Sequence, residues 1–153
     1  MGRRARGMGL SQLSVVLISL QFALIGLIVW PFSAQRFGII FWIAIVAGFA
    51  LGIYTLLHNR LGNFNIRPEP KATAKLITSG PYRFIRHPMY SALLLAAAAF
   101  VVAENRWLKF GLWLALGLVL LAKASFEESL MSAKFLHYRS YRDRTKRFVP
   151  YIF

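Results

Sequence analysis

The chain contains no cysteine, which removes disulfides, thiolate metal sites and a cysteine nucleophile from consideration. Acidic residues are scarce too: 5 Asp and Glu stand against 19 Lys and Arg, for a formal charge of +14. Charged residues of all kinds make up 16%, well below the roughly 25% of a soluble domain. There is no Gly-rich phosphate loop, no internal repeat, no low-complexity linker, and no Ser or Thr beside a convincing base. His58, His87 and His137 show no metal-ligand spacing, so no metal is expected. What is abundant is apolar: 58% of 153 residues, enough chain for one domain and too few for two ordinary ones.

The apolar residues fall in blocks. They run from Leu13 to Trp30, from Phe37 to Leu57, from Met89 to Ala103 and from Trp107 to Phe126. A membrane span needs about 20 apolar residues. The first, second and fourth blocks fit; the third is short, and "ENRW" makes a tight hairpin with the fourth. The expected fold is all-α: a polytopic membrane protein of four transmembrane helices, a single domain over 1–153 with a loop at 58–88 and a helical tail at 127–153. A cleaved signal peptide is the rival reading of the N-terminus, but the apolar run is too long for a signal core and more spans follow.

Basic residues are distributed unevenly. Arg3, Arg4 and Arg6 precede the first span, Arg60, Arg67, Lys71, Lys75, Arg83 and Arg86 lie in the loop, and Lys134, Arg139, Arg142, Arg144, Lys146 and Arg147 in the tail. Only Arg36, Arg106 and Lys109 fall on the other side. Such asymmetry places both termini and the 58–88 loop in the cytoplasm. It accounts for the net charge as topology and attraction to anionic headgroups, so nucleic acid is not an expected partner.

The loop contains "RPEP", held extended by its prolines, and ends in "SGPYRFIRHPMYSALLL". Pro88 suits the first turn of a helix and His87 falls at its cap. The start of a helix favours an anion, and Arg83 and Arg86 add charge. The residues leave a plainer reading open, in which Arg86 and His87 reach lipid headgroups. Glu127 and Glu128 stand where the fourth span meets the cytoplasm, and ionisable groups at membrane depth are paired or functional. Glu127 either pairs with Lys123 four residues earlier, or the carboxylates face a bound cation or ligand hydroxyls. The last helix is expected to continue through "SLMSAKFLHYRSYRDR", with Tyr138 and Tyr141 one turn apart, and "TKRFVPYIF" to end amphipathic against the membrane.

Through "NIRPEP", "LITSGPYRFIRHPMYSALLL", the "EE" pair followed by Leu130, and "YRSYRDRTKRFVP", the chain resembles the isoprenylcysteine carboxyl methyltransferases and the related phospholipid N-methyltransferases. The likeness covers about residues 50–153. It implies a membrane enzyme using S-adenosylmethionine, with a cofactor set of Tyr82, Arg86, His87, Pro88, Tyr90, Glu127, Glu128, Tyr138 and Tyr141. Glu127 and Glu128 are the catalytic candidates, and a lipid or membrane-partitioned molecule is the methyl acceptor. Two departures stand out: Ala92 where relatives often have glycine, and Phe135-Leu136 where many have "FG", with one fewer residue before Tyr138. A nicotinamide-dependent membrane reductase of similar architecture and a non-enzymatic membrane subunit are the alternatives. Neither the acceptor atom (oxygen, nitrogen or sulfur) nor the oligomeric state follows from these residues.

Overall fold

The computed structural model describes residues 2–30, 37–59 and 75–153, with side chains from residue 12 onward. Among them the chain forms five α-helices: α1 Gly2–Val29, α2 Ile39–Asn59, α3 Pro88–Glu104, α4 Trp107–Lys134 and α5 Tyr138–Arg144. A 3₁₀ turn, Gly80–Arg83, precedes α3. Among the described residues the sole β pairing is one parallel bridge between Ile85 and Lys146. The "RPEP" segment and Arg36, Arg60, Arg67 and Lys71 lie outside the described residues, as do the side chains of Arg3, Arg4 and Arg6.

Three helices carry stretches long and apolar enough to cross a membrane: Gln12–Val29, Ile39–Asn59 and Trp107–Lys134. The fourth, α3, is apolar but has 17 residues, a rise of about 25 Å. Large side chains such as Ile39, Ile43, Val46, Phe49, Ile53 and Leu57 lie bare along the outside of α2, as a lipid-facing surface requires. The protein is thus an all-α membrane protein.

Packing is closest between α2 and α3. A Cβ on Gly48 would lie 3.0 Å from the Ala92 carbonyl oxygen and 3.0 Å from Ala96 Cβ. Ala92 thus meets glycines on the neighbouring helix, its Cβ lying 3.8 Å from the Cβ position of Gly52. At one end of this pair Phe37 stacks on Phe41 at 3.9 Å, and Phe100 meets Phe41 edge-on at 5.2 Å. The hairpin joining α3 to α4 is closed by Asn105, left-handed at φ 47°, a conformation asparagine tolerates. Its N–H bonds to the Val101 carbonyl.

Helix α1 packs chiefly on α4 and buries a stripe of Ser14, Leu17, Gln21 and Ile28, with Gln21 bonded to Lys123 of α4. Lys109, buried near the start of α4, ties the pair together. Its ammonium donates to the carbonyls of Ile28 and Trp30 at 2.5 and 2.7 Å and pairs with Glu104 at 3.3 Å. Carbonyls at the end of a helix have no partner within it, and this lysine satisfies those of Ile28 and Trp30. The central core joins Ile28, Tyr90, Ala97, Leu116, Leu120, Ala124 and Phe148.

Two boundaries differ from the sequence reading. Helix α2 includes His58 and Asn59, so the loop begins later. The fourth helix runs to Lys134 and then breaks, whereas a continuous helix through Arg144 was expected. Phe135 turns extended (φ −115°, ψ 117°), and α5 starts afresh at Tyr138. The break redirects the chain, so that Tyr138 and Tyr141 are buried instead of continuing along the axis of α4.

Candidate functional site

The site lies where the start of α3, the end of α4 and the segment from α5 onward meet. The 3₁₀ turn begins at Gly80, whose φ is +58°, and a Cβ there would come within 2.5 Å of the His58 ring. Glycine is needed for both reasons, and the turn is anchored on the end of α2. Beyond it the backbone pairs with the C-terminal segment. Lys146 N–H donates to Phe84 O at 3.0 Å, Arg86 N–H to Lys146 O at 2.7 Å, and His87 N–H to Arg147 O at 3.1 Å. Ser91 Oγ adds a bond to Phe148 O at 2.6 Å. Of the N–H groups after His87 that an anion could use, those of Tyr90 and Ser91 donate to the His87 carbonyl at 3.0 and 3.2 Å.

Glu128 is the hub. Its Oε1 accepts from Arg86 Nε at 2.8 Å and lies 3.2 Å from His87 Nε2, while its Oε2 accepts from Arg147 at 3.2 Å. Arg86 also donates to the Arg142 carbonyl at 3.0 Å and to the Thr145 carbonyl. Its guanidinium therefore staples the C-terminal segment to α4. Only 5% of the Glu128 side chain is exposed, against 21% for Glu127. Glu127 accepts from Tyr90 Oη at 2.5 Å and lies 3.3 Å from His87 Nδ1. The adjacent carboxylates thus have different surroundings, one locked and one partly open.

His87 occupies the N-cap position of α3 but makes no side-chain cap bond. Its two ring nitrogens reach the two glutamates instead. Burial alone pulls its pKa down, but the hydrogen bonds to Glu127 and Glu128 outweigh that and leave it raised. Its ring stacks on Tyr90 at 5.3 Å, and Phe148 meets both edge-on. Tyr141 Oη donates to the Tyr82 carbonyl at 2.8 Å, and Tyr138 lies 5.8 Å from the Tyr141 ring. Burial, then the charge of Glu127, pushes the Tyr82 hydroxyl up to about 12. Burial likewise raises Tyr138 and Tyr141, so all three remain donors at neutral pH.

The nine side chains singled out in the sequence are gathered in this one region, Pro88 included, fully buried in the first turn of α3. The Lys123–Glu127 ion pair weighed as an alternative does not form: Lys123 Nζ donates to Gln21 Oε1 at 2.8 Å. Arg147, Thr145, Ser91 and Phe148 were not identified as site residues. Arg147 looked like one topological charge among many, and only the bridge between Ile85 and Lys146 reveals its position.

A polar cluster at the head of an apolar helix, inside a bundle of membrane-length helices, defines a membrane protein with an interfacial site. The family model for phospholipid methyltransferase matches residues 37–137, and the chain belongs to that family of membrane methyltransferases. No curated protein matches the sequence. The matched segment holds α2, α3 and α4; α1 lies before it, and Tyr138, Tyr141 and Arg147 lie beyond it, joined to the site by geometry.

Proposed function

We propose that the protein transfers a methyl group from S-adenosylmethionine to a lipid-like acceptor that reaches the site from the bilayer, with the cofactor entering from the cytoplasm. One observation carries this reading: in a membrane methyltransferase chain, the partly open Glu127 carboxylate lies among His87, Tyr90 and a wall of buried tyrosines. The cofactor is cationic at its sulfonium and ammonium groups, and carboxylates and aromatic faces suit both. The donor set therefore fits it. When bound, it supplies an electrophilic methyl group.

This chain's residues have the tasks of binding, orienting and excluding water. Glu127 offers a carboxylate to a cation or to ligand hydroxyls, and Tyr90 and His87 hold it in place. Glu128 organises: it keeps Arg86, His87 and Arg147 together and so closes the C-terminal segment over the site. Arg147, with its side chain 31% exposed, is the guanidinium best placed for the cofactor carboxylate. Transfer of the methyl group that the bound cofactor would supply depends on alignment, which Glu127, His87, Tyr90 and Arg147 would provide by holding the cofactor in place. No protein nucleophile is needed, in keeping with a chain without cysteine.

The test is transfer of labelled methyl from S-adenosylmethionine into a whole membrane lipid extract by the protein in nanodiscs, followed by identification of the product. A labelled lipid is expected. No labelled lipid, together with no binding of the cofactor by calorimetry, would overturn the reading.

A further inference from the structure

Lys123 stands apart from the ion pairs beside it. It lies in α4, is 2% exposed, and sits four residues before Glu127, about 6 Å deeper along the helix. Its Nζ donates to Gln21 Oε1 at 2.8 Å and lies 5.3 Å from the centre of the Tyr90 ring. Both are neutral partners. Glu128 is committed to Arg86, His87 and Arg147, and Glu127 to Tyr90 and His87. Among the described residues no carboxylate lies within ion-pair distance of Lys123; Glu127 acts on it only through space.

Arg86, Arg147 and His87 therefore pair with the two carboxylates, and Lys123 pairs with neither. A buried ammonium with no anion is costly at membrane depth. A polar strut between two helices does not require a charge, since amides and hydroxyls serve that purpose. An anion brought by a ligand would give Lys123 the charged partner that the described residues do not supply. Gln21 also comes from α1, outside the matched segment 37–137, on the stripe that α1 buries. The helix that the family match leaves out thus supplies the direct partner of a lysine inside the matched segment. Tyr90 joins the two ends, its hydroxyl on Glu127 and its ring beside Lys123.

We propose that Lys123 and Gln21 form an oxyanion site that holds the acceptor: the ammonium pairs with a phosphate or carboxylate carried by a lipid, and the Gln21 amide turns to donate to the same group. The role assigned to that lipid rests on the methyltransferase reading; the oxyanion site itself does not. Its depth below Glu127 suits a molecule that stays in the bilayer while its reactive end reaches the cluster.

Native mass spectrometry of the full chain in detergent tests this without turnover. The probes are dioleoyl phosphatidylethanolamine and phosphatidylglycerol for phosphate, oleate for carboxylate, and dioleoylglycerol as the uncharged control. Wild type is expected to retain an oxyanion-bearing lipid about tenfold better than dioleoylglycerol, and the stronger of the phosphate and carboxylate arms identifies the group. Lys123→Met should abolish that preference and Lys123→Arg keep it. Gln21→Leu, which leaves the ammonium in place, should weaken it and so provides the decisive variant if Lys123→Met does not fold. A preference that survives both Lys123→Met and Gln21→Leu, or is absent from wild type, makes Lys123 a strut between helices and overturns the inference. Calorimetry with S-adenosylmethionine on the same preparations keeps the two readings separate. Failure to bind the cofactor with a Lys123-dependent lipid preference intact would remove the methyltransferase reading and leave the oxyanion site standing.

Discussion

Glu127 and Glu128 are neighbours in sequence and alike in chemistry, yet α4 turns them into different surroundings. Glu128→Gln keeps the shape of the side chain but removes the charge shared by Arg86, His87 and Arg147. Losing one charge-assisted hydrogen bond costs about 1.5–3 kcal/mol, so this variant is expected to lower the melting temperature in nanodiscs. Glu127→Gln is expected to keep the fold better and to weaken S-adenosylmethionine binding more directly. Calorimetry and melting on both variants check the division, and equal losses of stability in the two would sink it. His87 gives a pH signature. Its pKa is raised in the fold by Glu127 and Glu128 against the effect of burial. The stabilisation it contributes is therefore fully present below its ordinary value of about 6.5 and is lost as pH rises through the higher folded value. Melting temperature should fall across that window in wild type and change less in His87→Asn. Asn can cap the helix but cannot carry the proton, so an identical pH dependence in the variant would refute the assignment.

At the scale of elements, the crossing of α2 and α3 depends on Gly48. A leucine there would press on Ala92 and Ala96, and overpacking costs about 1–3 kcal/mol. Gly48→Leu is expected to lower thermal stability by about that amount, measured by denaturation in detergent, while a leucine at the open Gly117, with nothing within 4 Å of its Cβ position, should be tolerated. The four apolar helices were legible because hydrophobic run length reports a span directly, and Pro88 marked the start of α3. The break at Phe135 was not legible. "SAKFLHYRSY" has no proline or glycine to stop a helix, and what ends it is tertiary: α5 gains burial of Tyr138 and Tyr141 by turning back toward the 3₁₀ turn. That these nine residues lie together is in keeping with the resemblance, but their wiring did not follow from it. That Glu128 binds Arg147, or that Lys123 turns to Gln21 and not to Glu127, depends on which helices pack together, and periodicity within one helix carries no such information.

At the scale of the whole molecule, the two ends of the bundle differ in how their cations are used. At the end holding the site, Arg83, Arg139, Arg142, Arg144 and Lys146 are exposed, free to meet an anionic leaflet. At the opposite end Lys109 is buried against the carbonyls of α1 and paired with Glu104, so it counts little as a surface charge. Arg106 is then the one exposed cation of that end among the described residues. The asymmetry is thus steeper than a count of basic residues suggests, and by the positive-inside tendency we propose that the site faces the cytoplasm, the side from which a water-soluble cofactor would enter. Because the chain has no cysteine, single-cysteine variants report orientation without background. Arg106→Cys, in the α3–α4 turn, should react with an impermeant maleimide added to intact cells. Ser140→Cys, exposed on α5, should react only after the membrane is opened. The Arg106 substitution removes an outside charge and so reinforces the predicted orientation instead of opposing it. Labelling of Ser140→Cys from outside would place the Glu127–Glu128 cluster on the external face, and cofactor entry from the cytoplasm would then be wrong even if the site chemistry were right.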